Sequence, residues 1–337
     1  MTRLGLVGVG RIGSMHAGAL HGLAGVDELL VADADTARAQ AAAERLGAGV
    51  RSVADVDALF AARPDGVVIA APTGSHAALI TRAVDAGLPV FCEKPVASTA
   101  EETVDVLGRA EKLGARVQIG FQRRFDAGYA AAREAVMAGE LGWVHTLRGT
   151  TLDPAPPPAA YIATSGGIFR DCSVHDFDAI RWVTGHEVIE VYASGSSRGE
   201  AFFAQSGDVS TAAAMLRLDD DSLALVSATR YNAAGYDVRL EVLGSRGSVS
   251  VGMDDRMPLK SSEPGVDWPP GPGYTGFAER FKDAYVRELH AFVDFASGRI
   301  GQSPCSIADA LEAFYIAEAC ELSRRERRPV QVAQVRR

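Results

Sequence analysis

The chain has 337 residues, 47% of them hydrophobic and 23% charged, with a formal net charge of −9. That length exceeds what one efficient core serves, so two domains are expected. The acidic balance argues against general nucleic-acid binding, and no apolar run approaches the roughly 18 residues that mark a membrane span.

The first apolar run, residues 3–7, reads as a strand and leads directly into Gly8-Val9-Gly10-Arg11-Ile12-Gly13. Residues 14–23 follow without proline, with Met15, Ala19 and Leu23 at helical spacing. A second apolar run, residues 29–32, ends in Asp33. Strand, G-x-G-x-x-G turn, helix, strand and acid in this order make a dinucleotide-binding βαβ unit. Glycines let the backbone turn tightly and approach a pyrophosphate, whose charge then sits at a helix N-terminus. Gly8, Gly10, Arg11, Ile12, Gly13 and Asp33 are therefore candidate cofactor residues, and the cofactor expected is NAD. The carboxylate of Asp33 accepts hydrogen bonds from ribose hydroxyls and repels a 2′-phosphate.

The alternation continues. A helix is predicted over 36–46 and a strand over 66–70, ending at Ala71-Pro72-Thr73. A helix over 76–86 is capped by Gly87, and the strand at 88–92 is closed by Glu93-Lys94-Pro95. Thr99 opens a helix to about residue 113, and a strand at 117–121 completes the set. The pattern implies a parallel sheet covered by helices on both faces, with ligands at the carboxyl ends of the strands. Pro72, Thr73, His76, Glu93 and Lys94 fall at those ends and join the cofactor candidates.

Beyond residue 125 the rhythm changes. A helix at about 126–138 leads to a strand at 144–150 and a proline-rich loop at 153–158. Gly166-Gly167 opens into a helix spanning 171–183. Strands are predicted at 188–193, 210–218, 223–231, 238–243 and 248–251, with short turns that make neighbours antiparallel. A polar loop at 254–275 precedes two helices, 276–297 and 306–326. The expected fold class is α/β: a Rossmann doubly wound parallel sheet over 1–123, then an α+β domain over 124–337 for substrate binding and oligomerisation.

Two places offer chemistry. Lys94 sits at a strand end, as a fixed donor beside the nicotinamide pocket or as a solvated loop lysine. Asp171 and His175 are four apart and share one helical face, with Asp178 three further along. A neutral histidine can take a proton from a hydroxyl while a carboxylate orients it and stabilises its cation. The same pair reads equally as a buried histidine hydrogen-bonded for stability. His16, His21, His145, His186 and His290 show no metal spacing, and no metal is expected. The four cysteines have no C-x-x-C spacing and read as reduced thiols, which with the absence of a leader before the first strand points to the cytoplasm. The arginines at 324, 325, 327 and 328 read as a solvated helix end.

The glycine turn, Glu93-Lys94-Pro95 and Asp171-x-x-x-His175, in this order, resemble the Gfo/Idh/MocA oxidoreductase family over essentially the whole chain. Residues 118–126, 153–158, 166–178 and Gly235-Tyr236-Asp237 sharpen the likeness toward inositol 2-dehydrogenases. The resemblance implies Lys94, Asp171 and His175 as the catalytic set, an open, mainly antiparallel sheet in the second domain, a cyclic polyol substrate and a homotetramer. Arg124, Asp153, Asp178, Tyr236 and Tyr285 are candidate polyol ligands, although Tyr285 reads equally as a packed aromatic. Gln122 stands where relatives often have methionine, and Thr151-Leu152-Asp153 replaces a stretch with histidine and asparagine. Both departures bear on which isomer or sugar is preferred, leaving myo-inositol, another inositol or a pyranose as substrates. An NAD-dependent glycosidase and a non-catalytic NAD sensor are the rival classes; a sensor has no need of a proton-transfer set.

Steady-state kinetics with both dinucleotides are expected to favour NAD, because Asp33 opposes a 2′-phosphate. A clear preference for NADP would overturn the reading of that residue.

Overall fold

The computed structural model describes residues 2–336. Two compact units emerge: residues to Gln122 together with Asp283–Leu311, and Arg123–Lys282 together with the residues from Glu312 onward.

The first unit is built on β1 (Arg3–Val7), β2 (Glu28–Ala32), β3 (Val50–Ser52), β4 (Gly66–Ile69), β5 (Val90–Glu93) and β6 (Val117–Gly120). Their order is β3-β2-β1-β4-β5-β6, and every pairing is parallel. All four residues of β4 are buried, as befits a central strand covered on both faces. The order reverses between β1 and β4, so the glycine turn after β1 and the loop after β4 flank the switch point where such sheets bind ligands. The helices are α1 (Arg11–His21), α2 (Thr36–Leu46), α3 (Val56–Ala61), α4 (His76–Asp85) and α5 (Ala100–Lys112). Asp35, Asp55 and Thr99 cap α2, α3 and α5 by accepting backbone N–H bonds. The short β3 and α3 went unread in the sequence, since three residues of strand carry almost no periodicity.

The second unit begins with α6 (Ala127–Met137), β7 (Val144–Leu152), α7 (Ala159–Ile162), α8 (Val174–Thr184), β8 (Val188–Ser196) and α9 (Phe202–Gln205). It continues through β9 (Thr211–Leu218), β10 (Leu223–Thr229), β11 (Asp237–Gly244), β12 (Ser248–Val251) and α10 (Phe277–Arg280). After α11 (Lys282–Ala296) and α12 (Ile307–Glu326) come β13 (Val330–Gln331) and a short 3₁₀ turn over Val332–Gln334. The seven strands run β12-β11-β7-β10-β9-β8-β13. All neighbours are antiparallel except β7 and β10, which pair in parallel. The sheet is thus mainly antiparallel, as expected; β7 and β10 are not joined by a short turn, since β8 and β9 intervene in the chain. Strands β9 and β10 alternate exposed and buried residues, so one face is core and the other open.

Two expectations are corrected. The helix foreseen over 276–297 breaks at Phe281, whose φ of −110° ends α10 before α11 starts. The single boundary at 123/124 also fails to describe the chain, because Asp283–Leu311 belongs with the first unit. Leu289, Phe292 and Val293 of α11 enter the core formed by Leu4, Leu6, Val31 and Phe91. Gln118 donates from Nε2 to the Glu288 carbonyl at 3.1 Å, tying the same helix to β6. An amphipathic stripe declares that a helix buries a face, but not which core receives it.

Phe292 is fully buried, with its ring centroid 5.9 Å from that of Phe91. Phe292→Ala is expected to cost about 3–5 kcal/mol of unfolding free energy. Denaturant titration checks it; an unchanged midpoint would detach α11 from this core.

Candidate active site

The first unit supplies a cradle for a dinucleotide. Gly8 has φ +92°, and a Cβ there would lie 2.7 Å from the Ala70 carbonyl oxygen. At Gly13 a Cβ would lie 1.9 Å from the Gly8 carbonyl oxygen, so both positions admit only glycine. A Cβ at Gly10 would meet nothing within 4 Å, which leaves room over the N-terminus of α1. No side chain caps that helix and no acid lies in its first turn, so its amides suit an anion. Asp33 accepts from the Val9 backbone N–H at 2.8 Å and from Asp35 N–H at 2.9 Å. The acid thus locks the glycine turn as well as presenting a carboxylate. Arg38 reaches it at 3.4 Å on a half-exposed side chain. These residues fit an NAD pyrophosphate and ribose.

The loops beyond β4 and β5 are fastened to each other. His76 is buried, with Nδ1 2.7 Å from the Pro95 carbonyl oxygen and Nε2 2.8 Å from that of Ala71. Lys94 is partly accessible and precedes a cis peptide bond to Pro95. Its neighbour Glu93 accepts a 2.7 Å hydrogen bond from Nε2 of His16, a fully buried residue on α1. Tyr285 of α11 packs edge-on against the His16 ring, with centroids 5.8 Å apart. The strand end that carries Lys94 is therefore braced from α1, α4 and α11.

In the second unit, Phe169–Ser173 forms a π-helical turn that runs straight into α8. Such turns recur at functional sites. The sequence reading foresaw a regular helix here; the wider turn still leaves residues four apart on one side. Asp171 lies in the π turn and His175 in the first turn of α8. From Cys172 to Arg181 every residue except His175 is buried, so the imidazole is the one partly open group on this stretch. Asp171 accepts from Arg230 Nη2 at 2.6 Å and from the Tyr161 hydroxyl at 2.8 Å. Asp153 accepts from Arg230 Nη1 at 2.7 Å. Burial works against the charge of Arg230, but Cys172, Asp171 and Asp153 hold its pKa well above the ordinary value. Burial and the nearby Asp171 push the Tyr161 phenol up, so it stays a donor. Desolvation likewise raises Tyr236, which is buried beside Arg123.

Residues 129–250 match the GFO/IDH/MocA C-terminal domain, and residues 2–121 match an oxidoreductase family with an NAD-binding Rossmann fold. The chain belongs to the Gfo/Idh/MocA oxidoreductases. It is 40% identical over 293 residues to myo-inositol dehydrogenase Hyg17 of Streptomyces leeuwenhoekii, covering 87% of this chain and 88% of the relative. The crystal structure of a myo-inositol dehydrogenase from Corynebacterium glutamicum matches with a TM-score of 0.89 at 35% identity, over 98% of both chains. A scyllo-inositol dehydrogenase from Lactobacillus casei, solved with NAD(H) and scyllo-inositol, matches with a TM-score of 0.85 at 29% identity, over 99% of both chains.

Within this Gfo/Idh/MocA frame the expected polyol ligands separate. Asp153, Asp171 and His175 keep some accessible surface within one unit, and Arg230 connects the two carboxylates. Asp178 and Arg124 do not fit the ligand role foreseen for them. The Asp178 side chain is fully buried and takes both bonds from Arg124, at 2.6 and 2.9 Å. A carboxylate so enclosed is satisfied by its own arginine and is closed to a ligand. Tyr236 is also buried and has its backbone N–H on the Tyr274 carbonyl. Tyr285 takes the packed-aromatic alternative.

Sequence reasoning passed over Arg230, Tyr161, Arg123 and the His16–Glu93 bond. Arg230, Arg123 and the His16–Glu93 bond join residues at least 53 apart in the chain, and a buried arginine reads in sequence as any other arginine. His186, read as lacking metal partners, comes within ion-pair distance of Asp219 and Asp220 at a partly exposed turn. In the C-terminal basic run, Arg324 and Arg325 pair with Glu321, and Arg328 pairs with Glu326.

Asp178→Asn removes the charge of the carboxylate that takes two bonds from the buried Arg124 guanidinium. It is expected to lower stability by about 3–5 kcal/mol, with the polyol KM of the folded fraction held within about twofold. A raised KM at unchanged stability would return Asp178 to the ligand set.

Proposed function

We propose that the protein is an NAD-dependent dehydrogenase that oxidises a ring hydroxyl of inositol to a ketone, with myo-inositol going to 2-keto-myo-inositol (scyllo-inosose). The carrying observation is His175, the partly open imidazole on an otherwise buried stretch, one turn beyond a carboxylate held by two donors. The names of the 40% and 35% identical relatives support the substrate. A second reading, scyllo-inositol, is favoured by the 29% identical Lactobacillus casei enzyme.

Gly8, Gly10, Arg11, Ile12, Gly13, Asp33, Pro72, Thr73, His76 and Glu93 would hold the dinucleotide. When bound, NAD supplies the acceptor for the two electrons and the hydrogen leaving the ring carbon. His175 takes the hydroxyl proton. Lys94 donates to the same oxygen and stabilises negative charge as it develops there. Asp171 orients His175 and stabilises its cation. Asp153 accepts from a neighbouring hydroxyl. Because the substrate is neutral, recognition rests on directional hydrogen bonds, and a missing hydroxyl costs about 10⁴-fold in kcat/KM.

The assembly proposed is a homotetramer. Tyr192, Met215 and Leu225 are exposed and lie side by side across β8, β9 and β10. A second copy of the sheet would cover this apolar row. The four cysteines are buried thiols, which suits the reducing cytoplasm, and among the described residues no helix is long and apolar enough to cross a membrane.

His175→Ala is expected to lower kcat by about 10²–10⁴-fold while NAD binding is retained. Near-normal turnover in that variant removes His175 from the role. A panel of inositols and pyranoses, followed by reduced-nicotinamide absorbance, assigns the isomer; accumulation of NADH with matching ketone excludes a glycosidase.

A further inference from the structure

Arg230 follows directly on β10, and Asp153 follows directly on β7. The two strands pair in parallel up to Thr229 and Leu152, and Asp153 N–H bonds to the Thr229 carbonyl at 2.9 Å. The sheet register therefore delivers both residues to the same end of this strand pair. Arg230 is anchored further by its own N–H on the Ser210 carbonyl at 2.8 Å. Its side chain is only 3% accessible, and it gives Nη1 to Asp153 and Nη2 to Asp171.

Two carboxylates that share one nearly dry guanidinium would repel each other without it, and Arg230 supplies the counter-charge to both. Asp171 is then fixed twice, through Oδ2 by Arg230 and through Oδ1 by the Tyr161 hydroxyl. Two donors arriving from different elements set the plane of the carboxylate, one turn before His175.

We propose that Arg230 is a positioning residue for proton transfer: it clamps Asp171 in a single orientation against His175, with Asp153 as its counter-anchor. The inference rests on the reading of His175 as base. The guanidinium does not touch the reacting atoms. It acts by holding the carboxylate where the imidazolium forms, and misplacement by a fraction of a bond length is costly.

The test is Arg230→Ala in the full-length protein. Turnover is expected to fall by about 10²-fold, with NAD affinity nearly unchanged. Added guanidinium ion, at concentrations far below those that unfold proteins, should restore at least a tenth of the lost rate. It should restore nothing in Arg230→Ala/Asp171→Asn. Turnover close to that of the parent, or equal rescue in both backgrounds, overturns the proposal. Should Arg230→Ala fail to fold, Arg230→Lys takes its place: an ammonium lacks the rigid planar fork that fixes both carboxylates, so kcat should fall with KM unmoved, and an unchanged kcat overturns the proposal. His175→Ala is measured alongside. If it loses turnover and the Arg230 variants do not, only the clamp fails; if it keeps turnover, the base assignment itself fails.

Discussion

The helix bearing His175 is held by ion pairs formed almost out of contact with water. Asp176 pairs with Arg123 at 2.6 Å, and Asp178 pairs with Arg124, all four side chains nearly inaccessible. Asp171, just ahead of the helix, pairs with Arg230. A charge buried without its partner costs several kcal/mol, so none of these elements can slide or rotate alone. Burial pushes the Asp176 carboxyl up, and Arg123 together with Thr151 counters it. The arrangement contributes less to net stability than to direction: with its neighbours locked inward, His175 is the residue left partly accessible on this stretch.

The first unit solves a related problem with backbone. Its glycine turn is closed by the Asp33 carboxylate on Val9 N–H, and the loops after β4 and β5 are joined by His76 through two carbonyl oxygens. A dinucleotide is long and charged at its centre. It is best met by fixed amides and a helix end, which need no side-chain ordering at the moment of binding. The second unit instead fixes its carboxylates and guanidinia by one another.

Much of this was legible beforehand. The spacing of Gly8, Gly10, Gly13 and Asp33 announced the cofactor unit because its chemistry is local: a turn, a helix start and an acid one strand away. The alternation of strands and helices gave a parallel sheet for the same reason. The return of α11 to the first core and the parallel pairing of β7 with β10 were not legible, since each depends on which distant surface an amphipathic element meets. Asp178 shows the limit most sharply. By helical spacing it belonged with His175, yet the presence of Arg124 beside it turned it from ligand to support.

Sequence alone thus determined the cofactor cradle, the family resemblance and the two residues, Asp171 and His175, that share a helical side. Those features are written within a few turns of chain, where covalent spacing fixes geometry. Tertiary structure decided which carboxylates remain open and which are neutralised, and it brought Arg230 to Asp171 across 59 residues. Partner choice among buried charges is a property of packed surfaces, and no run of consecutive residues encodes it.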